Sequence, residues 1–314
     1  MKVLFICRQK TKTNISPFVK SQALSLQNEG LTVDFFLIKK SGVFGYLRSI
    51  FELNSFTKKK DYDIYHAHYS FSGYVASFAR KKPLIVSLLG TDVIQSSFSR
   101  LILRIISNIF HWKHIIVKSD EMKNLLKINK IEVVPNGVDF NTFYPINKKK
   151  ARLILNWDLN EKIILFNGSK SNPIKNYKLA YNARNLCDQK IKIVEIKNLN
   201  QEELNLYYNA CDLFLSTSHW EGSPNTIKEA MACNTNIVST NVGDVNYLFG
   251  KEKYNHVCPF DPGIISSAIN QSLIVKKDSN EGRQRLIQLS LQSTDVARKI
   301  INLYQKLWKE KSKV

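Results

Sequence analysis

The segment Phe214-Leu-Ser-Thr-Ser-His-Trp-Glu-Gly-Ser-Pro-Asn-Thr-Ile-Lys-Glu-Ala-Met-Ala-Cys233 decides how the second half of this chain folds. Its apolar beginning predicts the end of a buried strand, and the part from Thr226 onward has high helix propensity with few helix breakers. Pro224 suits the first turn of that helix, and Ser223 before it suits the helix cap. The segment therefore predicts a strand, a polar turn and a helix, in that order.

Two carboxylates lie eight residues apart in this segment, with Glu221 in the turn and Glu229 about one turn into the helix. Both would lie near the helix N-terminus, where backbone N–H groups and the helix dipole favour an anion. Carboxylates beside an anion site indicate a ligand that carries both hydroxyls and phosphate, as a nucleotide sugar does. An acid in a surface loop and another in a helix are common, so the spacing alone means little.

Strand and helix patterns alternate along the rest of the chain. In the first half, Lys2–Cys7 and Leu31–Ile38 predict strands on either side of a helix that Ser16-Pro17 begins. The pattern restarts with a strand at Lys162–Phe166. Strand, helix and strand at this spacing predict parallel sheets, and hence an α/β fold with two Rossmann-like domains.

The length of 314 residues fits two domains of about 150 residues each. We place the first domain at 1–146, the second at 147–294, and an amphipathic final helix at 295–314. A hydrophobic fraction of 44% is enough for packed cores. No apolar run approaches the ~18 residues that span a bilayer, and the apolar start Met1–Cys7 predicts a first strand rather than a signal peptide.

The chain is strongly basic, with 46 Lys and Arg against 26 Asp and Glu and a net charge of +20. Such a surface attracts polyanions, either nucleic acid or the anionic face of a membrane; a compositional preference for lysine is the other explanation for part of the excess. Nucleic-acid binding needs a recognised fold or a stacking platform, and the sequence has neither. The five cysteines form no CxxC pair, which is typical of small buried residues in a reducing cytosol rather than of a disulfide or zinc framework.

The wider motif around the two carboxylates, Ser218-x-x-Glu-Gly-Ser-Pro-Asn-x-x-x-Glu-Ala-Met-Ala232, resembles the E-x7-E signature of retaining glycosyltransferases of family 4, of the bacterial polysaccharide-biosynthesis type. The resemblance implies the GT-B architecture, in which two Rossmann-like domains face each other across a cleft and the C-terminal helix crosses back to the N-terminal domain. It extends over nearly the whole chain, through the segments Ser16–Leu26, Asp63–His68, Val133–Asp139, Asn167–Asn176 and Val242–Asp244.

The resemblance also implies roles for individual residues. Glu221 should lie against the transferred sugar, Glu229 should bind the ribose hydroxyls, and Lys175 should neutralise the leaving diphosphate. For Lys175 alone, an ordinary solvated lysine is the alternative. We expect the catalytic residues to be Glu221, Lys175 and His68. The donor-binding residues that the resemblance implies are Gly168, Ser169, Lys170, Lys175, Glu221, Gly222, Ser223, Pro224, Asn225, Thr226 and Glu229.

Two positions depart from the family pattern. The family usually has Arg directly after the glycine of the first phosphate loop, whereas Gly168 is followed here by Ser169 and Lys170. Lys170 can substitute only as a point charge, without the bidentate fork of Arg. In Leu89-Gly-Thr-Asp92, Leu89 stands where the family often has His.

The acceptor side is expected in the first domain, and the resemblance implies that Ser16, His68 and Asp92 belong to it. His68 would lean in from the end of its strand in place of the missing His. The alternative is a strand-end histidine that packs against the next loop. The expected acceptor is a glycan or a lipid-linked glycan.

The sequence predicts no metal and no cofactor, since the nucleotide sugar is a substrate. Asp61-Tyr-Asp63 matches the D-x-D metal motif of a different glycosyltransferase architecture, but it precedes a buried strand and suits capping. His66 and His68 point to one face of an extended strand, with no Cys or carboxylate partner nearby. A P-loop motif is absent, and the loop Arg8–Ile15 lacks the glycines of G-x-G-x-x-G, which argues against NAD.

Two segments of the first domain combine apolar and basic residues. Residues 41–60 carry aromatic side chains followed by Lys58–Lys60, which favours a helix lying in a membrane interface. Residues 98–113 fit a core helix better. We therefore expect a cytoplasmic protein that is peripheral on the inner face of the cytoplasmic membrane.

These patterns and the resemblance predict retaining transfer of a hexose-type sugar from a UDP- or GDP-sugar, by front-face attack with the leaving diphosphate as the base. A non-catalytic partner subunit that keeps the fold is the main alternative, because Leu89 and Ser169 depart from the family. A sugar-nucleotide epimerase on the same architecture is a weaker one. The sequence does not name the sugar, the base or the oligomeric state.

Overall fold

The structure is a computed structural model that describes residues 1–9, 15–40, 42–94, 96–110, 112, 114–251, 253–275 and 281–311. The chain forms two compact units, one of Met1–Gly137 with the C-terminal segment from Ser293, the other of Val138–Gln292. The first unit ends before the expected boundary at residue 146, because the segment after Gly137 bonds within the second unit. Val138 N donates to Leu291 O at 3.0 Å, and Ile146 N donates to Asn209 Oδ1 at 2.7 Å.

The first unit is built on a six-stranded sheet in which every pair of neighbouring strands is parallel, in the order β2-β1-β3-β4-β5-β6. Its strands are nearly continuous apolar runs, which is the composition expected when helices cover both faces of a sheet. The strands are β1 (Lys2–Arg8), β2 (Thr32–Ile38), β3 (Ile64–His68), β4 (Leu84–Ser87), β5 (His114–Val117) and β6 (Ile131–Val133).

Six helices connect these strands or follow them. The first begins at Pro17 with Ser16 at its N-cap position, as the Ser16-Pro17 pair predicts, although the Ser16 side chain makes no capping hydrogen bond. The helices are α1 (Pro17–Asn28), α2 (Val43–Thr57), α3 (Ser70–Phe78), α4 (Thr91–Ile94), α5 (Ser97–Ile109) and α6 (Asp120–Leu126).

The C-terminal helix belongs to the first unit, as predicted. This helix, α14 (Ser293–Lys311), packs against α1. Arg298 Nε pairs with Glu29 Oε2 at 3.0 Å on its outer side, and the buried Tyr304 hydroxyl lies 2.6 Å from His66 Nδ1 on its inner side. A long-range hydrogen bond of a buried tyrosine thus joins α14 to strand β3.

Helices α2 and α5 both expose apolar side chains. On α2, Phe44 is 87% exposed and Phe51 75% exposed, which suits the predicted interfacial helix. The prediction that 98–113 is a core helix is right for one face only. Leu103 is fully buried, but the adjoining part of the same wide apolar face is exposed, and its residues are Phe98, Leu101, Ile105 and Ile109. A face this wide meets the core along one part only. Residues 111 and 113 lie outside the described residues.

The second unit repeats the plan with a five-stranded parallel sheet in the order β11-β10-β9-β7-β8. The strands are β7 (Lys162–Phe166), β8 (Ile191–Glu195), β9 (Leu213–Ser216), β10 (Ile237–Thr240) and β11 (Asn255–Cys258). The helices are α7 (Lys148–Ile154), α8 (Tyr177–Asn185), α9 (Gln201–Ala210), α10 (Asn225–Ala232), α11 (Val245–Phe249), α12 (Pro262–Ile274) and α13 (Gly282–Gln288), with a 3-10 turn at Pro173–Lys175. The prediction of an α/β fold with two Rossmann-like domains is confirmed.

None of the helices within the described ranges has the length and apolar character needed to cross a membrane.

Candidate functional site

The predicted donor residues collect at one edge of the second sheet. Strand β7 lies between β8 and β9, so the chain leaves β7 toward one side and returns to the other side at β9. The connections after β7 and β9 run in opposite directions along the sheet. Such a switch point at the carboxyl ends of parallel strands is the usual ligand crevice of open α/β sheets. Lys175 comes from the loop after β7, and Glu221 comes from the loop after β9.

Lys175 and Glu221 are in direct contact. Lys175 Nζ lies 2.6 Å from Glu221 Oε1, and the two side chains are only 20% and 19% exposed. Ser218 Oγ donates to the same carboxylate oxygen at 2.9 Å. The structure therefore brings two of the three predicted catalytic residues together, and it adds Ser218, which the sequence did not single out for this role.

Backbone hydrogen bonds fix the position of Lys175. Asn172 Oδ1 accepts from Ile174 N at 3.1 Å and caps the 3-10 turn that ends at Lys175. Thr217 Oγ1 donates to Lys175 O at 3.0 Å, and His219 N donates to Ile174 O at 2.8 Å. The two loops of the crevice are thus tied to each other on both sides of the ion pair.

The predicted phosphate loop lies against the stem of Lys175. Gly168 has a φ of +114°, and a Cβ there would lie 3.2 Å from Lys175 Cγ, so the loop approaches this side chain closely. Lys170 N donates to Glu195 Oε2 at 2.6 Å, while the Lys170 side chain is 68% exposed. Ser169 Oγ lies 2.9 Å from Ser171 Oγ. The backbone of Lys170 is anchored, and its exposed ammonium group lies 4.0 Å from Glu195 Oε1.

Glu229 lies on α10, partly buried. Tyr208, from α9, donates its hydroxyl hydrogen to Glu229 Oε2 at 3.0 Å. Burial raises the pKa of Glu229 to about 7, while the hydrogen bond from Tyr208 and the charge of Lys228 act in the opposite direction. This carboxyl group can therefore exist in either protonation state near neutral pH, and it is built to accept hydrogen bonds from hydroxyl groups.

The prediction for the start of α10 is wrong in detail. The helix begins at Asn225 with Pro224 at the N-cap position, and no side chain caps it. The Ser223 hydroxyl instead donates to Asp244 Oδ2 at 2.6 Å and accepts from Lys228 Nζ at 3.0 Å. A hydrogen bond with one charged partner is roughly twice as strong as a neutral one, so the Lys228 ammonium group outcompetes the helix amides as the donor to Ser223 Oγ.

The remaining predicted donor residues form the loop and first turn around this point. Gly222 is buried, and Asn225 and Thr226 are half-buried in the first turn of α10. The loop after β10 packs on them: a Cβ added to Gly243 would lie 2.6 Å from Gly222 O. This loop is one of the segments that resemble the family. The sequence did not indicate Tyr208, Lys228 or the contact of Asp244, because only their burial and their partners distant in the chain identify them.

His68 ends strand β3 in the first unit and is 2% exposed. Its ring lies against Phe5 and His66, with centroid distances of 4.4 and 4.3 Å. Within the described part of the chain neither ring nitrogen has a hydrogen-bond partner, and burial holds the pKa of His68 well below its usual value. The side chain is therefore a neutral imidazole packed among rings, and the stacking confirms that His66 and His68 share one face.

Asp92 holds two loops of the first unit together. Its carboxylate accepts backbone N–H groups from Ser70 at 3.2 Å and from Leu89 and Gly90 at 3.0 Å each. Burial raises the pKa of Asp92 to about 6, and these hydrogen bonds oppose the rise. The Ser16 hydroxyl is buried without a hydrogen-bond partner among the residues described.

The acids of the D-x-D pattern have other surroundings. Asp63 Oδ2 accepts from Lys2 N at 2.7 Å, and Asp61 is exposed. Over the described ranges, no group of three or more His, Cys, Asp or Glu side chains is arranged to hold a metal ion. The loop Arg8–Ile15, where the sequence lacks a dinucleotide motif, lies largely outside the described residues.

Two family models match the chain, one in each half. The model for Glycosyltransferase Family 4 matches residues 21–142, and the model for Glycosyl transferases group 1 matches residues 175–288. TuaC of Bacillus subtilis (strain 168), a glycosyltransferase assigned to teichuronic acid biosynthesis, is 35% identical over 65 residues. That match covers 21% of this chain and only 17% of the relative.

Solved structures share the fold over nearly the full length. Sucrose-phosphate synthase from Thermosynechococcus elongatus superposes with a TM-score of 0.79 at 17% identity, over 98% of this chain and 99% of that one. HepE from Anabaena, in complex with UDP and glucose, superposes with a TM-score of 0.77 at 16% identity, over 98% of this chain and 100% of that one.

Proposed function

The chain belongs to the family 4 type of GT-B glycosyltransferases, and on that premise we propose that it is a retaining hexosyltransferase. It takes the sugar from a UDP- or GDP-sugar and transfers it to a glycan or lipid-linked glycan during synthesis of a cell-surface polysaccharide, such as a lipopolysaccharide or capsule. The observation that carries this proposal is the Lys175–Glu221 ion pair at the switch point of the second sheet, with Glu229 on the helix that follows.

Donor binding exchanges the partner of Lys175. The diphosphate of the donor carries more charge than one carboxylate, so it competes with Glu221 for the Lys175 ammonium group. Glu221 then keeps the hydrogen bond from Ser218 and accepts hydroxyl groups of the transferred sugar. A preorganised cation that faces charge developing on a leaving group contributes a few kcal/mol to transition-state stabilisation.

Glu229 binds the ribose of the donor. Two neighbouring hydroxyl groups donate to one carboxylate, and these bonds favour the ionised form of a group whose pKa burial raises to about 7. Tyr208 holds one carboxylate oxygen at 3.0 Å and so fixes the direction of the side chain.

The transfer itself proceeds by front-face attack. Glu221 is paired with Lys175 and accepts from Ser218, and the buried Asp244 accepts from Ser223. We therefore assign neither carboxylate the role of a nucleophile that forms a covalent sugar intermediate. The acceptor hydroxyl attacks the anomeric carbon on the side from which the diphosphate leaves. Its proton passes to the departing phosphate oxygen, and the configuration at the anomeric carbon is retained. Neither a metal ion nor a cofactor is assigned a step.

Two substitutions test the site. Glu221→Gln and Lys175→Ala should each abolish transfer while leaving the fold intact, as measured by release of the nucleotide diphosphate and by circular dichroism. Lys192→Ala is the matched control, because Lys192 also pairs with a carboxylate of the second unit, Glu161 at 3.1 Å, but on an exposed surface. Full activity of either site variant would refute the assignment.

A thermal-shift screen with UDP, GDP and their sugars identifies the donor. A ligand at 100 times its Kd stabilises the folded state by about 2.7 kcal/mol, which gives a measurable rise in Tm. Absence of any nucleotide-sugar binding would favour the non-catalytic partner subunit, and consumption of donor without acceptor would favour the epimerase.

We also propose that the first unit rests on an anionic membrane on the cytoplasmic side. Helices α2, α3 and α5 lie side by side, since the rings of Tyr46 and Phe71 stack at 5.0 Å and those of Phe78 and Phe110 meet at 4.9 Å. This helix layer exposes apolar side chains, and α2 and α3 each end in a basic triplet. The exposed apolar residues are Val43, Phe44, Leu47, Phe51, Phe71, Phe78, Phe98, Leu101, Ile105 and Ile109, and the triplets are Lys58–Lys60 and Arg80–Lys82. Apolar insertion beside positive charge is the chemistry of interfacial binding.

Vesicle sedimentation tests the membrane contact. The protein should bind vesicles that contain phosphatidylglycerol, less so at high salt, and should not bind phosphatidylcholine alone. Burial of one Phe contributes about 1.5–3 kcal/mol, so Phe44→Ser with Phe51→Ser should weaken binding by roughly tenfold or more. Leu24→Ser, at an exposed apolar residue of α1, is the control. Equal binding by the double variant, or to uncharged vesicles, would exclude this surface.

A further inference from the structure

Helix α10 contains a buried lysine that the proposed mechanism does not use. Lys228 is 1% exposed and lies in the second turn of the helix, one residue before Glu229. Burial of an ammonium group is unfavourable unless it is paired and hydrogen-bonded, and the positive end of the helix dipole adds to the cost. A buried cation at this position therefore calls for a specific compensating arrangement.

The compensating groups are Ser223 and Asp244, and we call the three residues the Lys228 network. Lys228 Nζ donates to Ser223 Oγ at 3.0 Å, and Ser223 Oγ donates to Asp244 Oδ2 at 2.6 Å. The direction of both bonds is fixed, because an ammonium group only donates and an ionised carboxylate only accepts. Burial lowers the pKa of Lys228 to about 8, while the charges of Asp244 and Glu229 raise it and keep the lysine protonated at neutral pH.

Asp244 takes part in this network instead of capping helix α11. It occupies the N-cap position of α11, where aspartate commonly accepts a helix amide, but its side chain makes no such bond. Its second oxygen, Oδ1, is buried and has no hydrogen-bond partner among the described residues. The carboxylate thus bonds Ser223 and not a backbone amide of α11.

The network joins two loops that already touch along their backbones. Gly243 has a φ of +55°, and a Cβ there would lie 2.6 Å from Gly222 O and 2.9 Å from Glu221 O. Close by, Thr240 Oγ1 donates to Ser218 O at 2.8 Å. The loop after β10 therefore lies directly on the carbonyl groups of the segment that carries Glu221, and the Lys228 network binds the two loops from the other side.

We infer that Lys228 is a positioning residue for donor binding: through Ser223 and Asp244 it clamps the Glu221–Pro224 loop onto the Val242–Asp244 loop, and so fixes the backbone that aims Glu221. This inference rests on the proposed function of the same site. It assigns Lys228 no contact with the donor, since the side chain is 1% exposed and its ammonium group donates to Ser223.

The test separates positioning from stability. Lys228→Met leaves Asp244 buried without its cation, so this variant should lose both stability and donor affinity. Lys228→Met combined with Asp244→Asn removes both charges of the network, so that only the attraction between Lys228 and Glu229 is lost, and replacing a buried ion pair by neutral groups is often close to neutral for stability. The double variant should therefore recover Tm but still bind donor about tenfold more weakly, because the hydrogen bond from Lys228 that holds the loop is gone.

Ser223→Ala provides the same test with a smaller change. Its matched control is Ser272→Ala, because Ser272 is an equally small buried hydroxyl on α12 that bonds only Ala268 O, at 2.8 Å, through its side chain. Binding of UDP-glucose and GDP-mannose to the full-length variants is measured by titration calorimetry well below each Tm. We expect weaker donor binding for Ser223→Ala and unchanged binding for Ser272→Ala.

The outcomes distinguish this inference from the proposed function. If the wild-type protein binds a nucleotide sugar and both Ser223→Ala and the double variant bind it within twofold, the positioning role is refuted and the proposed function stands. If the donor affinity of the double variant recovers together with its Tm, the positioning role is likewise refuted and Lys228 is a structural residue. If the wild-type protein binds no nucleotide sugar, both proposals fail.

Discussion

Glu229→Gln should make the protein more stable at pH 8 while it removes a group that the donor needs. The carboxyl group of Glu229 lies among the side chains of α9 and α10, where Tyr208 is its hydrogen-bond donor. Glutamine has nearly the same shape and offers a carbonyl oxygen to Tyr208, so the substitution removes the ionisation and little else. The wild-type protein and the variant therefore differ mainly in how their stability depends on pH.

The size of the effect follows from the pKa. Burial raises the pKa of Glu229 from 4.5 to about 7 in the folded protein. One pKa unit corresponds to about 1.4 kcal/mol, so ionising this group in the folded state costs roughly 3 kcal/mol relative to the unfolded chain. The pKa of about 7 already includes the attraction of Lys228 for the ionised carboxylate. We therefore expect a net gain of about 1–3 kcal/mol for Glu229→Gln at pH 8.

The sign of the pH dependence is fixed by the direction of the shift. Below pH 4.5 the group is protonated in both states, and wild type and variant should be equally stable. As pH rises from 4.5 to about 7, the unfolded chain releases its proton first, so the wild-type protein loses stability that the variant keeps. Between pH 7 and about 8, where Lys228 begins to titrate, the difference should level off.

Urea denaturation followed by circular dichroism at several pH values between 5 and 8 measures this difference. Glu202→Gln is the control, because Glu202 is an exposed residue in the first turn of α9 and shows what the loss of one surface charge does. Donor binding by Glu229→Gln should fall sharply at every pH. A stability difference that does not change with pH, or a variant less stable than wild type at pH 8, would refute the reasoning.

Two further substitutions probe the loops and the C-terminal helix. Gly243→Ala should destabilise by about 1–3 kcal/mol and weaken donor binding, because it forces a left-handed residue and a contact of 2.6 Å with Gly222 O; Gly30→Ala, also at positive φ but with nothing within 4 Å, should cost less in the same urea titration. Tyr304→Phe should destabilise by about 1–3 kcal/mol, because it leaves the buried Nδ1 of His66 without its partner, and a calorimetric scan in which Tm did not fall would contradict this.

Local pattern was enough for the elements that carry strong apolar runs. The strand Lys162–Phe166 has the predicted bounds, because a buried parallel strand is apolar throughout. Helix α5 shows where pattern fails. Its apolar residues form one wide face, and the pattern does not show which part of that face meets the core, so the exposed part was also predicted as core.

The candidate site likewise contains residues that the sequence predicts and contacts that it does not. Glu221 and Glu229 were predicted from residue type and context, and Lys175 from the family resemblance. The loops of Glu221 and Lys175 follow neighbouring strands, which the order of a parallel sheet brings together. Ser223 was predicted as a helix cap because its local context fits one. Its actual partner, Asp244, is 21 residues away, and nothing in the local sequence reports that contact.

The sequence by itself determined the fold class, the two α/β units and the strand, turn and helix from Phe214 to Cys233, because periodicity, helix propensity and residue type are properties of neighbouring residues. Only the tertiary structure decided which charges are buried and which partners they have. It placed Lys228 against Ser223 and turned Ser223 from the helix to Asp244. It also packed His68 as a neutral ring against Phe5. Burial and long-range hydrogen bonds arise when distant segments meet, and they set the pKa values and loop contacts on which the proposed chemistry depends.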